Sequence, residues 1–172
     1  MIDTMRTHVD GLVMRNQAWG PDLLEYQLES DCTVGNWDEV EKILDKTQQE
    51  TSPFLVARVL LALRSGDVDE VESALLTARK ILGAPISAAG ARDYTRAYQS
   101  ILDLHMLHEL QVIFQEARKS ENDMDINARL DSLQRRLALR LDSTLPSFRT
   151  REPLLSMRRT ALALQYVLHL NA

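Results

Sequence analysis

The sequence predicts an all-α fold, an α-solenoid of antiparallel helix pairs with about eight helices, and three observations carry that prediction. No stretch of the 172 residues alternates apolar and polar side chains over a strand's length, while Leu and Ala abound. Helix-start and helix-stop residues recur at short intervals throughout. One unit is also written twice: residues 35–44 read GNWDEVEKIL and residues 66–75 read GDVDEVESAL, a separation of 31 residues.

Taken in order, a first helix is expected over about 4–17, with Val9, Leu12 and Val13 on one side. Gly20 suits its C-terminal end and Pro21 the first turn of the next helix. That second helix, over about 22–34, carries Leu23, Leu24 and Leu28 and stops at Gly35. A third starts near Trp37, where Asp38 and Glu41 have the spacing of a capping box, and ends by about Gln48. Ser52-Pro53 opens a fourth, FLVARVLLALRS, apolar nearly all round and therefore central; Gly66 ends it. The fifth repeats the third, with Asp69 and Glu72 in the capping positions, and runs to about Leu82. GAPIS is read as a turn, after which Ser87 caps a long helix to about Lys119, with Gly90 bending or delaying its start. In that helix Ile101, Leu104, His105, His108 and Val112 fall on neighbouring positions, and Leu102, Met106, Leu107 and Leu110 broaden the apolar surface. SENDMD, residues 120–125, reads as a mobile loop, followed by a helix over about 126–141. STLPSFRT reads as a linker, and Glu152-Pro153 opens a last helix to about Leu170. That helix stops without an obvious cap, as an excised piece of a longer array would. Residues 1–172 are thus one helical-repeat segment.

The repeated unit has a physical reading. Each copy has a helix stop (Gly35, Gly66), an acidic start that complements the helix dipole, and an apolar stripe. The stripes are Val40, Ile43 and Leu44, then Val71, Ala74 and Leu75, with Trp37 or Val68 leading the helix into its neighbour's groove. A unit of thirty-odd residues is the period of tetratricopeptide-like solenoids. The plainer alternative is two unrelated amphipathic helices with good N-terminal turns.

Composition narrows the function classes. One cysteine, Cys32, excludes an internal disulfide and a Cys-rich zinc site, and fits a reducing compartment. No apolar run approaches the roughly 20 residues of a membrane span, and no secretion signal opens the chain, so a soluble intracellular protein is expected. Residues 1–80 hold 15 acidic and 8 basic side chains, whereas residues 81–172 hold 10 and 12. The basic excess lies mostly after Arg129 and lacks the interleaved aromatics of a single-strand binding surface, so direct nucleic-acid binding is not expected. His105-x-x-His108-Glu109 is the nearest approach to a metal motif, but zinc needs further ligands that His8, Cys32 and His169 do not supply at any recognisable spacing. There is no nucleophile elbow and no glycine-rich phosphate loop. No catalytic, cofactor-binding or metal residue is therefore assigned. Arg149, Arg151, Arg158 and Arg159, around a Pro-marked helix start, are assigned instead to protein docking through fork-type Arg–carboxylate pairs.

Three stretches together resemble a known family. VGNWDEVEKIL (34–44), PISAAGARDYTRAYQSILDLHMLHELQ (85–111) and FRTREPLLSMRRTALAL (148–164) resemble, in this order and spacing, the FAT domain of ATR-type checkpoint kinases. These are PI3-kinase-related protein kinases, and the resemblance covers about residues 23–165. It implies a solenoid of tetratricopeptide-like and HEAT-like helix pairs that embraces a kinase domain and takes part in dimerisation. The implied parent is a nuclear serine/threonine kinase of the DNA-damage response with an ATR-interacting partner protein. Its ATP and magnesium would be bound outside this chain. Two alternatives stay open: a stand-alone repeat adaptor holding a peptide in its concave groove, and a metal- or ligand-binding bundle using His105 and His108.

Overall fold

The computed structural model describes residues 2–16, 20–88, 94–118 and 126–170. The expected loop at 120–125 and the bend at Gly90 lie outside the described residues. Among those residues every regular element is a helix: α1 (Ile2–Arg15), α2 (Gly20–Val34), α3 (Trp37–Lys46), α4 (Ser52–Ser65), α5 (Val68–Ala88), α6 (Tyr94–Ala117), α7 (Ile126–Asp142) and α8 (Phe148–Leu170). Sequential neighbours pack in pairs from α1 through α7, the arrangement of an α-solenoid, and α8 returns to pack on α6, α4 and α2. The even-numbered helices thus form one layer.

Apolar patterning builds the core. In α4, Phe54, Leu55, Val56, Ala57, Val59, Leu60, Ala62 and Leu63 are all buried, which makes it the central helix. The paired stripes behave alike: Val40, Ile43 and Leu44 are buried, as are Val71 and Leu75, with Ala74 partly buried. Trp37 packs half-buried against the same core. Both repeat glycines have a left-handed backbone, Gly35 at φ 83° and Gly66 at φ 74°, the conformation that ends a helix without a Cβ clash.

The caps differ from expectation. Asp38 lies in the first turn of α3 rather than capping it; Asn36 holds the N-cap position, but its side chain donates to Asp31 Oδ1 at 3.3 Å and caps no helix N–H. In α5 the cap is Asp67, whose Oδ1 accepts from the N–H groups of Asp69 (2.9 Å) and Glu70 (3.3 Å). The acids at 69 and 70 instead contribute charge to the positive end of the helix. Two prolines also fail to break helices. Pro85 lies inside α5, so GAPIS is helix rather than turn and Ser87 belongs to α5 instead of capping α6. The long packing of α5 along α6 outweighs the single backbone bond that Pro85 forfeits. Likewise α8 starts at Phe148, before Pro153, because Ser147 caps it: Ser147 Oγ accepts from the Thr150 N–H at 3.2 Å.

Leu75 is 2% exposed, so Leu75→Ala should lower unfolding stability by about 2–5 kcal/mol. A Cβ at Gly66 would meet nothing within 4 Å, so Gly66→Ala should cost only the left-handed backbone strain, about 1–2 kcal/mol. Denaturant melts of both variants check the two values; a neutral Leu75→Ala would mean that the repeated stripe is not part of the core.

Candidate functional site: a docking cleft and its ionic support

The deepest polar feature is a carboxylate with no exposed surface. Glu109, on α6, is fully buried, and Arg158 on α8 grips it with a two-pronged contact: Nε to Oε2 at 2.5 Å and Nη2 to Oε1 at 2.6 Å. The same Nη2 donates to the Leu137 carbonyl of α7 at 2.8 Å. His105 Nε2 lies 2.9 Å from Glu109 Oε1, and Arg140 Nε of α7 lies 3.6 Å from it. Three helices therefore meet at one charge. A second tie joins α6 to α7, where Arg136 Nη1 reaches Glu116 Oε1 at 2.5 Å and Arg129 donates to the Glu116 carbonyl.

Of the four arginines read as docking residues, Arg158 pairs within the segment. Arg158 does form a fork-type pair on a neighbouring helix, but the pair is internal and the side chain is buried, so it offers nothing to an outside partner. Arg151 is half-buried and donates to the Thr144 carbonyl at 3.3 Å, bracing the α7–α8 connection. Leu145 N–H adds a bond to the Tyr98 hydroxyl at 3.1 Å, which ties that connection to α6. Only Arg149 and Arg159 of the four are exposed, and neither has a polar partner among the described residues.

Arg149, Arg151 and Arg159 share the wall of a cleft of about 850 Å³ between α2, α4, α6 and α8. Its floor is apolar, with Val56, Leu60, Leu102 and Met106. Asp103 adds one buried acid, held by Ser52 and Gln99; burial raises its pKa above the usual carboxylate range against those hydrogen bonds. Across from α8, Tyr26 and Glu29 of α2 form the other wall. Desolvation, then Glu25 and Glu152, push the Glu29 carboxyl up as well. Cys32 also lines the cleft, but its buried thiol is pushed up to about 12 by desolvation, Asp31 and Glu29, which leaves it inert at neutral pH.

Of the two α6 histidines, His105 takes a structural place and His108 is exposed. His105 is spent on Glu109, and burial together with Arg140 lowers the pKa of both His105 and His108. Among the described residues no three His, Cys, Asp or Glu side chains could hold a metal ion. Nor is any helix among them long and apolar enough to cross a membrane. Of the expected apolar face of α6, Leu102, Met106, Leu107, Leu110 and Val112 are buried and Ile101 is exposed, with Ile113 adding to the core. Sequence reading missed Glu109 as a structural centre, although a lone acid within LHMLHELQVIF is a signal that a buried partner must exist.

Comparison with known proteins places these features in context. A family model described as FAT domain matches residues 25–169. The serine/threonine-protein kinase ATR of Arabidopsis thaliana is 31% identical over 175 residues, covering 91% of this chain and 6% of that protein. Serine/threonine-protein kinase ATR of Oryza sativa subsp. indica is 30% identical over 186 residues, 99% of this chain and 7% of that protein, and that of subsp. japonica matches equally. The chain thus spans 6–7% of the length of the curated relatives it matches.

Removing one partner of the buried pair strands the other charge, so Arg158→Met should cost about 3–5 kcal/mol, and the double variant Glu109→Leu/Arg158→Met should recover most of it. A depressed histidine pKa means that the unfolded chain takes up protons the folded chain declines. Stability should therefore fall on acidification below about pH 6.5, and His105→Gln should flatten that fall. Urea melts across pH 5–8 check both; an unchanged melt for Arg158→Met would remove the ionic centre from the account.

Proposed function

Because this chain belongs to the FAT-domain family, we propose that it is a non-catalytic helical scaffold segment of an ATR-type checkpoint serine/threonine kinase. The observation that carries the reading is the family match, which runs from within α2 to the end of α8 and so includes both the ionic centre and the cleft. Supporting it, three side chains with catalytic chemistry are committed to packing: His105 to Glu109, Glu109 to Arg158, and Cys32 to a buried, protonated state.

In this reading the segment positions a kinase domain and contributes to its regulation and to dimer assembly. Its partners are the rest of the kinase polypeptide, an ATR-interacting protein and a second protomer, in the nucleus. ATP and magnesium would be held by residues outside this chain. Neither DNA nor a membrane is a partner: the cleft presents Glu29, Asp103 and Glu152 beside its arginines, and carboxylates repel phosphate.

The reading assigns protein docking to Arg149 and Arg159. Charge reversal of both in the full-length kinase should reduce kinase activity or dimer stability while leaving ATP affinity unchanged. The chain alone should bind duplex or single-stranded DNA no tighter than about 10 μM at physiological salt. Submicromolar, salt-sensitive DNA binding lost on that reversal would replace the scaffold reading with a nucleic-acid one.

A further inference from the structure

The outer face of α8 carries a pattern that the fold leaves unused. Phe148, Leu155 and Leu162 are 83%, 46% and 38% exposed, and Glu152 and Arg159 stand exposed between them. Their spacings run 4, 3, 4, 3, the spacing of a coiled-coil seam, with apolar residues at one seam position and opposite charges at the other. Four of the five also line the α2–α8 cleft, so the seam continues into an apolar floor. A row of exposed apolar side chains along a groove marks an interaction surface more strongly than scattered ones do.

Charge decides what fits. Glu152 and Arg159 have no polar partner among the described residues. Glu29 faces Glu152 across the groove closely enough for the two acids to repel, and neither carboxylate pairs with Arg149 or Arg151, which line the same wall. One turn-pair further along, Arg159 lacks an anion. An occupant therefore needs a basic residue near Glu152 and Glu29 and an acidic residue near Arg159, seven residues apart on one face. A helix lying antiparallel to α8 would carry its acid nearer its own N-terminus and its base nearer its C-terminus, the order that each helix dipole favours.

We propose that the α2–α8 groove binds an amphipathic helix of a protein partner, antiparallel to α8, with an aliphatic stripe and an acidic residue followed seven residues later by a basic one. From Phe148 to Leu162 the seam spans about 21 Å at 1.5 Å per residue, so the occupant is a helix of about four turns. The proposal deepens the scaffold reading by naming the kind of partner for the same cleft, and it concerns binding by the 172-residue chain itself. A nucleic-acid strand fits poorly, since it would bring phosphates against three carboxylates and find no row of stacking rings.

The test uses two designed helical peptides of about three heptads, with the same leucine stripe. One places Glu before Lys at the seven-residue spacing; the other has the two charges exchanged. Fluorescence anisotropy with the 172-residue chain should show the first binding about tenfold tighter than the second, and the variant E152K/R159E should reverse the preference. Leu155→Asp should abolish both interactions while circular dichroism shows helix content retained. No binding by either peptide up to about 1 mM would overturn the proposal, as would a preference that the double reversal leaves unchanged. Sedimentation equilibrium showing a dimer that Leu155→Asp dissociates would assign the groove to a second copy of the chain and overturn it too. Peptide selectivity alongside normal kinase assembly in the Arg149/Arg159 reversal would keep the groove and discard the scaffold reading.

Discussion

A charge with no access to water cannot stand alone in a protein, and Glu109 has none. Its carboxylate is kept by what surrounds it: the Arg158 fork from α8, Arg140 from α7 and His105 one turn back on α6. The Leu137 carbonyl takes a further guanidinium donor and brings the α7 backbone into the same contact. Apolar packing between helices tolerates sliding and rotation, because it depends on area rather than direction. A two-pronged guanidinium–carboxylate contact tolerates neither. The placement of α8 on α6 is therefore fixed by one directional interaction, and that of α7 by the same centre together with Arg136 on Glu116. Such a pair adds little net stability compared with well-packed hydrophobes, so its contribution here is specificity of arrangement.

That placement creates the cleft. α8 does not simply extend the stack; it returns over α4 and α2, and the space left between it and α2 is the groove. Leu154, Met157, Arg158, Ala161 and Leu164 face inward and are buried. Phe148, Glu152, Leu155, Arg159 and Leu162 face outward. Arg158 and Arg159 are adjacent in sequence, yet a helix turns 100° between them, and that turn separates a buried structural group from an exposed rim charge. Pro153 sits within α8 without breaking it because Ser147 and the braced Thr144 carbonyl secure the helix start on the far side.

Fold class, helix number and the central place of α4 are legible in the sequence, since they depend on periodicity and on local stop signals such as Gly35 and Gly66. The departures have physical causes. Asp67 outcompetes Asp69 as a cap because Gly66 ends α4 one residue before it, leaving Asp67 in the cap position. Local rules make Pro85 a breaker, and tertiary packing along α6 overrides them. Of the candidate docking residues, Arg149 and Arg159 lie on the cleft wall, but nothing local distinguishes them from Arg158. That distinction requires knowing which face of α8 meets Glu109, a contact between residues 49 apart in the chain. Long-range pairing of this kind leaves only an indirect trace, here the isolated acid within an apolar run.

The lock and the cleft are one mechanical unit. A groove that must hold another helix gains affinity when its walls are ordered before the partner arrives, because the ordering cost is not charged to binding. On the α8 side that order comes from Arg158, which faces away from the groove and cannot be displaced by an occupant without exposing Glu109 to an apolar interior. On the α2 side it comes from Leu28, buried against α4, and from the Asp31 carbonyl that closes the helix end onto Gly35 and Asn36. Glu152 and Arg159 can then remain unpaired at little internal cost, because both are exposed. Buried charge fixes the shape and exposed charge is left available for recognition, so the two roles fall to different residues of the same helix.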